Sequence, residues 1–207
     1  MALFPLFVNI EGRSCLVFGG GNVALRKIRT LLAAGAHVRV RSVEYVPELL
    51  KMAEKGQIVF EEDRPVKALV QDAFLVVCAT SDPDFNDAVA CICREKRIPV
   101  NCASGKGVSS FIFPSLILKD NISIGISLQP PAPSLSKQIR EAIEDTLPDW
   151  YGVLGKSLAA YRSLLKSLVP DEEARHKIMA RLTRYGLDHE GDIPEEIFYS
   201  MIKEVCP

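Results

Sequence analysis

Net charge is nearly absent from this sequence: 25 Lys and Arg stand against 26 Asp and Glu in 207 residues, a formal balance of −1. Without an excess of either sign there is no overall field to gather nucleic acid or an anionic membrane, so any basic site must be local. Long apolar runs are missing as well, and none approaches the ~20 residues of a membrane-spanning helix. The opening MALFPLFVNIEGRS has neither a basic region ahead of its apolar residues nor a small-residue cleavage pattern. It predicts no secretory signal and a soluble, cytoplasmic protein. Histidine is scarce: His37, His176 and His189 make no spaced pair with one another or with cysteine, and are expected at the surface.

Six cysteines in a chain of this length do not make a disulfide scaffold. Cys15, Cys78 and Cys102 lie in apolar, strand-like contexts that predict buried free thiols. Cys91 and Cys93 form C-x-C on a helical stretch, but that pair alone does not make a tetrahedral zinc site, so no metal is expected. Neither G-x-S-x-G nor H-E-x-x-H occurs, which leaves hydrolase readings without support. There is no internal repeat and no low-complexity tail.

What the chain does have is a regular alternation. Its residues are 48% hydrophobic, enough for one sizeable core and a smaller appended unit. SCLVFGG, AHVRVRS, QIVFEE, AFLVVCAT and IPVNCAS read as strands, and helical patterns cover about Asn22 to Ala34, EYVPELLKMAEKG and DPDFNDAVACICREKR. Strands and helices in turn predict an α/β fold with a parallel sheet. After Ser104 the winding stops. SSFIFPSLILKD and NISIGISL read as two strands turned at Asp120-Asn121, QPPAPS breaks the sheet, and Ser134 is placed to cap a helix to about Leu147. WYGVLGKSLAAYRSLLKSLV, DEEARHKIMARLTRYG and IPEEIFYSMIKEV are amphipathic helices, with Trp150 and Tyr151 as packing aromatics.

CLVFGGGNVALRK concentrates the functional signal. Gly19, Gly21 and Ala24 fit G-x-G-x-x-[G/A] between a strand and a helix, the context in which this fingerprint holds a dinucleotide. Gly19 permits the tight turn, Gly21 lets a pyrophosphate approach the backbone, and Ala24 allows close packing. The helix start then offers free N–H groups to the phosphates. The second strand ends RVRS without the usual acidic residue. Arg41 and Ser42 could receive a 2′-phosphate and so favour NADP, or Arg41 could be simply solvated. Glu44 could take the ribose hydroxyls, which favours NAD. Thr80 and Ser81, after a central strand, are placed either to touch the cofactor or to cap the next helix.

These stretches, with VVCATSDPDFN, NCASGKGVSSFIFPSLI and SLSKQIREAIEDTLP, resemble the precorrin-2 dehydrogenase family, the NAD-dependent module of siroheme synthases. The resemblance implies a Rossmann-type NAD-binding domain over residues 1–112, a small α+β dimerisation segment over 113–147 and a helical C-terminal domain over 148–207. It implies a homodimer that oxidises precorrin-2 to sirohydrochlorin with NAD. Asn22, Val23, Val43 and Glu44 fall at the family's NAD-contacting positions.

Two departures qualify what carries over. Bifunctional members have aspartate in a strand-end N-x-x-D, whereas NCAS places Ser104 there, as in dehydrogenase-only members. A serine hydroxyl is a poor acceptor for the ring protons that leave when a metal enters, so the resemblance implies dehydrogenation without ferrochelatase activity, with Ser104 lining the cleft. SLQPPAPS replaces the family's S-x-G-G-x-S-P, so any grip of that loop on substrate carboxylates is altered. Lys106, Lys137 and Arg140 are candidate carboxylate partners, or else solvated cations. Two other readings stay open: a non-catalytic module that senses NAD or carries a tetrapyrrole to a separate chelatase, and a bifunctional dehydrogenase and ferrochelatase using another carboxylate.

Overall fold

The computed structural model describes residues 3–103 and 109–206. The described chain forms two compact units that meet in sequence at Phe113 and Pro114.

In the first unit, β1 (Ser14–Phe18), β2 (His37–Arg41), β3 (Ile58–Phe60), β4 (Leu75–Cys78) and β5 (Val100–Cys102) form one parallel sheet in the order β3-β2-β1-β4-β5. The connecting helices are α1 (Asn22–Ala33), α2 (Pro47–Glu54), α3 (Val66–Gln71) and α4 (Pro83–Glu95). Alternation along the strands sends side chains to two cores. Cys15, Val17, Val38, Val40 and Val77 pack with Leu25, Ile28 and Leu49 of α1 and α2. Leu16, Phe18, Val76 and Cys78 pack with Leu69 and Val70 of α3 and Val89 and Cys93 of α4. Helices on both faces bury all of β4 and β1 from Cys15 to Phe18, hence their continuous apolar runs, whereas β2 and β3 towards the sheet edge keep half-buried and exposed positions. The chain winds outward from β1 to β3, then returns to β4 beside β1, so the β1–β4 crevice is where the strand order reverses and where ligands of such sheets lie.

Three local features depart from the sequence reading. DRPVKALVQD carries α3, a helix of 6 residues, too short for its periodicity to stand out. SSFIFP is not part of a strand: Ser109 and Ser110 instead turn their hydroxyls to the open edge of β5. Their oxygens accept from the N–H groups of Cys102 at 2.9 Å and Val100 at 2.8 Å, standing in for a further strand. The third concerns Ser134. In the second unit, α5 (Pro133–Thr146) starts two residues earlier than a Ser134 cap implies, on Pro133, whose fixed φ suits a first helical position, and Ala132 is the cap residue.

The rest of the second unit is an antiparallel hairpin of β6 (Ser115–Lys119) and β7 (Ile122–Ile126), turned at Asp120-Asn121, with helices α6 (Trp150–Leu168), α7 (Glu172–Asp188) and α8 (Glu195–Val205). Leu154, Leu165, Ile178, Leu182 and Phe198 form the helical core, where the Tyr161 ring stacks on Phe198 and its hydroxyl donates to the Ile193 carbonyl at 2.8 Å. Trp150 and Tyr151 meet edge to face. α5 differs from its neighbours in having no buried residue. Among the described residues, no helix is long and apolar enough to cross a membrane.

Candidate functional site

The glycine turn lies at the C-terminal end of β1, beside the end of β4. Gly19 has φ of 120°, and a side chain there would overlap the Ala79 carbonyl, so this position needs glycine twice over. Gly20, the residue between the two motif glycines, is as constrained. A β-carbon would overlap the Glu44 carbonyl, because the 42–46 loop folds against the turn and the Val46 N–H donates to the Gly20 carbonyl at 2.9 Å. Gly21 has the opposite surroundings, with nothing within 4 Å of where a β-carbon would be. That open space lies in front of α1.

α1 itself is left unsatisfied at its start. Its first internal bond runs from the Leu25 N–H to the Gly21 carbonyl, which leaves the N–H groups of Asn22, Val23 and Ala24 outside the ladder. No side chain caps them and the first turn holds no acid. α4 and α7 are closed differently, with Asp82 accepting from the Phe85 N–H at 3.0 Å and Asp171 from the Ala174 N–H at 2.7 Å. An uncapped positive helix end facing open space at a glycine is what a dinucleotide pyrophosphate requires, so these residues fit that cofactor.

Around this centre the other predicted residues are placed as follows. Val43, 99% exposed, and the exposed Glu44 lie in the loop after β2, against the turn. Arg41 is occupied: its guanidinium donates to the carbonyls of Glu62 and Arg64 at 3.0 and 2.9 Å and pairs with Asp63. It is therefore engaged with the 62–64 segment and is not a simple solvated cation. Thr80 follows β4, and its hydroxyl donates to Asn86 Oδ1 at 2.7 Å, while Asn86 Nδ2 donates back to the Thr80 carbonyl at 3.1 Å. The cap of α4 is Asp82, not Thr80 or the exposed Ser81. Lys137 pairs with Glu141, and Arg140 with Glu141 and Glu144, along α5. Ser104 and Lys106 lie outside the described residues.

Two features lay beyond sequence reasoning. Gly20 reads as a variable position of the motif, and only the folded 42–46 loop makes it obligatory. Lys27, in the second turn of α1, donates to Asn101 Oδ1 at 2.8 Å and stands 4.1 Å from the centre of the Phe113 ring. Burial, with a smaller effect from Arg26, brings its ammonium down to about 8. No run of residues signals a contact between positions so far apart in the chain.

The free thiols Cys15, Cys78, Cys93 and Cys102 are buried, and Cys91 and Cys206 are exposed. Burial pushes Cys15 up to about 11 and Cys93 to about 12, and raises Cys78 and Cys102 as well. Such thiols are inert as nucleophiles.

Comparison with known proteins agrees with this geometry. The family model described as "Putative NAD(P)-binding" matches residues 6–115, more than half of the chain. Siroheme synthase of Chromobacterium violaceum is 36% identical over 177 residues, 86% of this chain and 38% of the relative. That of Thioalkalivibrio sulfidiphilus is 38% identical over 88% of this chain and 37% of the relative, and that of Nitrosococcus oceani 31% identical over 99% and 42%. The chain thus spans about two fifths of the length of these relatives. Among solved structures, "SirC, precorrin-2 dehydrogenase" superposes with a TM-score of 0.72, at 22% identity over 98% of both chains, and shares the fold. With an open glycine turn, an uncapped helix and the matching model over its first half, the chain belongs to this NAD(P)-binding family, and siroheme synthases are its sequence relatives.

Proposed function

We propose that the protein is a cytoplasmic precorrin-2 dehydrogenase that uses NAD to form sirohydrochlorin on the way to siroheme or a related modified tetrapyrrole. The observation that carries this reading is the uncapped start of α1 facing open space at Gly21, in a chain whose relatives along most of its length are siroheme synthases. The fold shared with SirC supports it. Gly19, Gly21, Asn22 and Val23 would hold the pyrophosphate, and Val43 and Glu44 the ribose region. NAD is favoured over NADP because Arg41 is held by the 62–64 carbonyls and Asp63, while a carboxylate at Glu44 suits free ribose hydroxyls and repels a 2′-phosphate.

When bound, the nicotinamide supplies a hydride acceptor. The substrate loses one hydride to it and one proton to solvent, giving sirohydrochlorin, NADH and H⁺. The chain's work is placement: α1 and the turn fix one reactant, and Ser104, Lys106, Lys137 and Arg140 are the candidates to fix the other. Ser104 supplies no carboxylate for metal insertion, so iron entry falls to a separate chelatase. The unburied α5, with Leu135 half exposed, supports pairing with a second copy of the chain.

The test is anaerobic incubation of purified protein with precorrin-2 and NAD, followed by ferrous iron or cobalt. Formation of sirohydrochlorin with metal entry no faster than the uncatalysed rate supports the reading. Tight tetrapyrrole binding without oxidation would replace it with the carrier.

A further inference from the structure

The second unit has a groove of its own, about 760 Å³ in volume, between α6 and α7. Its floor is apolar, with Leu158 and Leu165 from α6 and Met179 from α7, and the small Ala159 and Ala180 keep the space open. Its rim is cationic: Arg162 and Lys166 stand on α6, Arg175 and His176 on α7, and Glu172 is the one acid in the lining. α6 carries Lys156, Arg162 and Lys166 along its 19 residues and no acid at all. Cations of α7 outside the groove are each paired, Lys177 with Glu173, Arg181 with Glu204 and Arg184 with Asp188. Arg162 and Lys166, by contrast, have no hydrogen bond or ion pair with any described residue. Arg175 is fixed from behind, donating to the Val169 and Pro170 carbonyls at 2.9 and 2.6 Å, so its position is set without an anion.

Two unpaired cations four residues apart on one helix face repel each other across about 6 Å of the axis. An acid group between them removes that repulsion, and an apolar body laid on the floor releases its water. We propose that the α6–α7 groove, formed wholly within the second unit, binds an amphipathic molecule with an apolar body and two or more acid groups. Cations on both walls call for more than one acid group, because a single headgroup held at α6 leaves Arg175 and the His176 ring N–H without a partner. The volume is that of an ordinary small-molecule site, and the flexible, polarisable Met179 adapts to the shape of the body. Nothing in this assignment depends on the dehydrogenase reading.

The test follows the methyl signal of Met179 by NMR in the intact chain, assigned with Met179→Leu, with Met52 on α2 of the first unit as internal reference. Two probes separate the sources of such chemistry: dodecanedioate, an extended chain, and uroporphyrin III, a macrocycle with eight carboxylates. At least one is expected to shift Met179 saturably while Met52 stays in place. Binding should weaken about tenfold or more when Arg162→Gln and Lys166→Gln are combined, and should weaken as salt rises from about 0.05 to 0.5 M. Dodecanoate, with one acid group, should need about tenfold more than the better probe. Arg162, Lys166 and Ala180 are all exposed, so the variants should fold. Ala180→Phe, which fills the groove and removes no charge, should abolish the response as well. NAD affinity should stay within about twofold in every variant, so failure at the glycine turn and failure at this groove are read separately. No saturable shift of Met179 with either probe, an equal movement of Met52, undiminished binding in the double variant, or dodecanoate binding as tightly as the better probe overturns the assignment.

Discussion

Gly20 and Glu44 are packed so closely that a methyl group on the Gly20 α-carbon would overlap the Glu44 carbonyl oxygen. The 42–46 loop, proposed to carry the ribose-side residues, is thereby seated on the glycine turn proposed to hold the phosphates.

Three neighbouring glycines should consequently respond differently to alanine. Gly19→Ala and Gly20→Ala force the backbone apart and should each cost about 1–3 kcal/mol of stability, with NAD affinity lost as a result. Gly21→Ala meets nothing within 4 Å and should melt close to wild type, yet weaken NAD because the methyl fills the space in front of α1. Thermal melts and NAD titrations of the three variants separate these outcomes.

Cofactor preference should follow Glu44 and not Arg41. Glu44→Ala is expected to weaken NAD by about tenfold, the loss of a hydrogen bond to a charged group. Arg41→Ala should loosen the 61–64 segment, whose carbonyls it holds, without changing the ratio of NAD to NADP affinity. Titration of both nucleotides against both variants checks the pair.

The Thr80 hydroxyl bond to Asn86 fixes the start of α4 against the end of β4. Thr80→Val keeps the shape and removes the donor, and should lower stability by about 1–3 kcal/mol in denaturant unfolding.

Much of this was legible beforehand because it depends on neighbours in sequence. The alternation of β1 and β4 between two cores, the start of α1 after Gly21 and the buried Cys15, Cys78 and Cys102 all follow from local pattern. What was hidden depends on residues far apart in the chain. Ser109 and Ser110 look like strand residues until the open edge of β5 claims their hydroxyls. Arg41 looks available until the 62–64 carbonyls surround it. Lys27 looks like one more helix cation, although Asn101 and Phe113 hold it.

That depressed lysine makes a prediction in pH. Its folded pKa of about 8 lies below the unfolded 10.5, so between these values the unfolded chain holds a proton that the folded one has released. Stability therefore rises with pH across that window as far as Lys27 is concerned. Wild type should gain stability relative to Lys27→Met from pH 8 to 10.5, measured by denaturant unfolding in parallel.

Thiol labelling gives an independent check of the cores. Of the six cysteines, Cys91 and Cys206 should react with a maleimide in the native protein, and all six only after unfolding. Mass spectrometry of the labelled chain counts them.

The most direct test of the whole account is the stoichiometry of an anaerobic reaction in which precorrin-2 is offered with NAD in one vessel and NADP in another. The account predicts one NADH for each sirohydrochlorin formed, with NAD the faster partner. Nucleotide bound at the glycine turn with no reduced nucleotide produced in either vessel would contradict it.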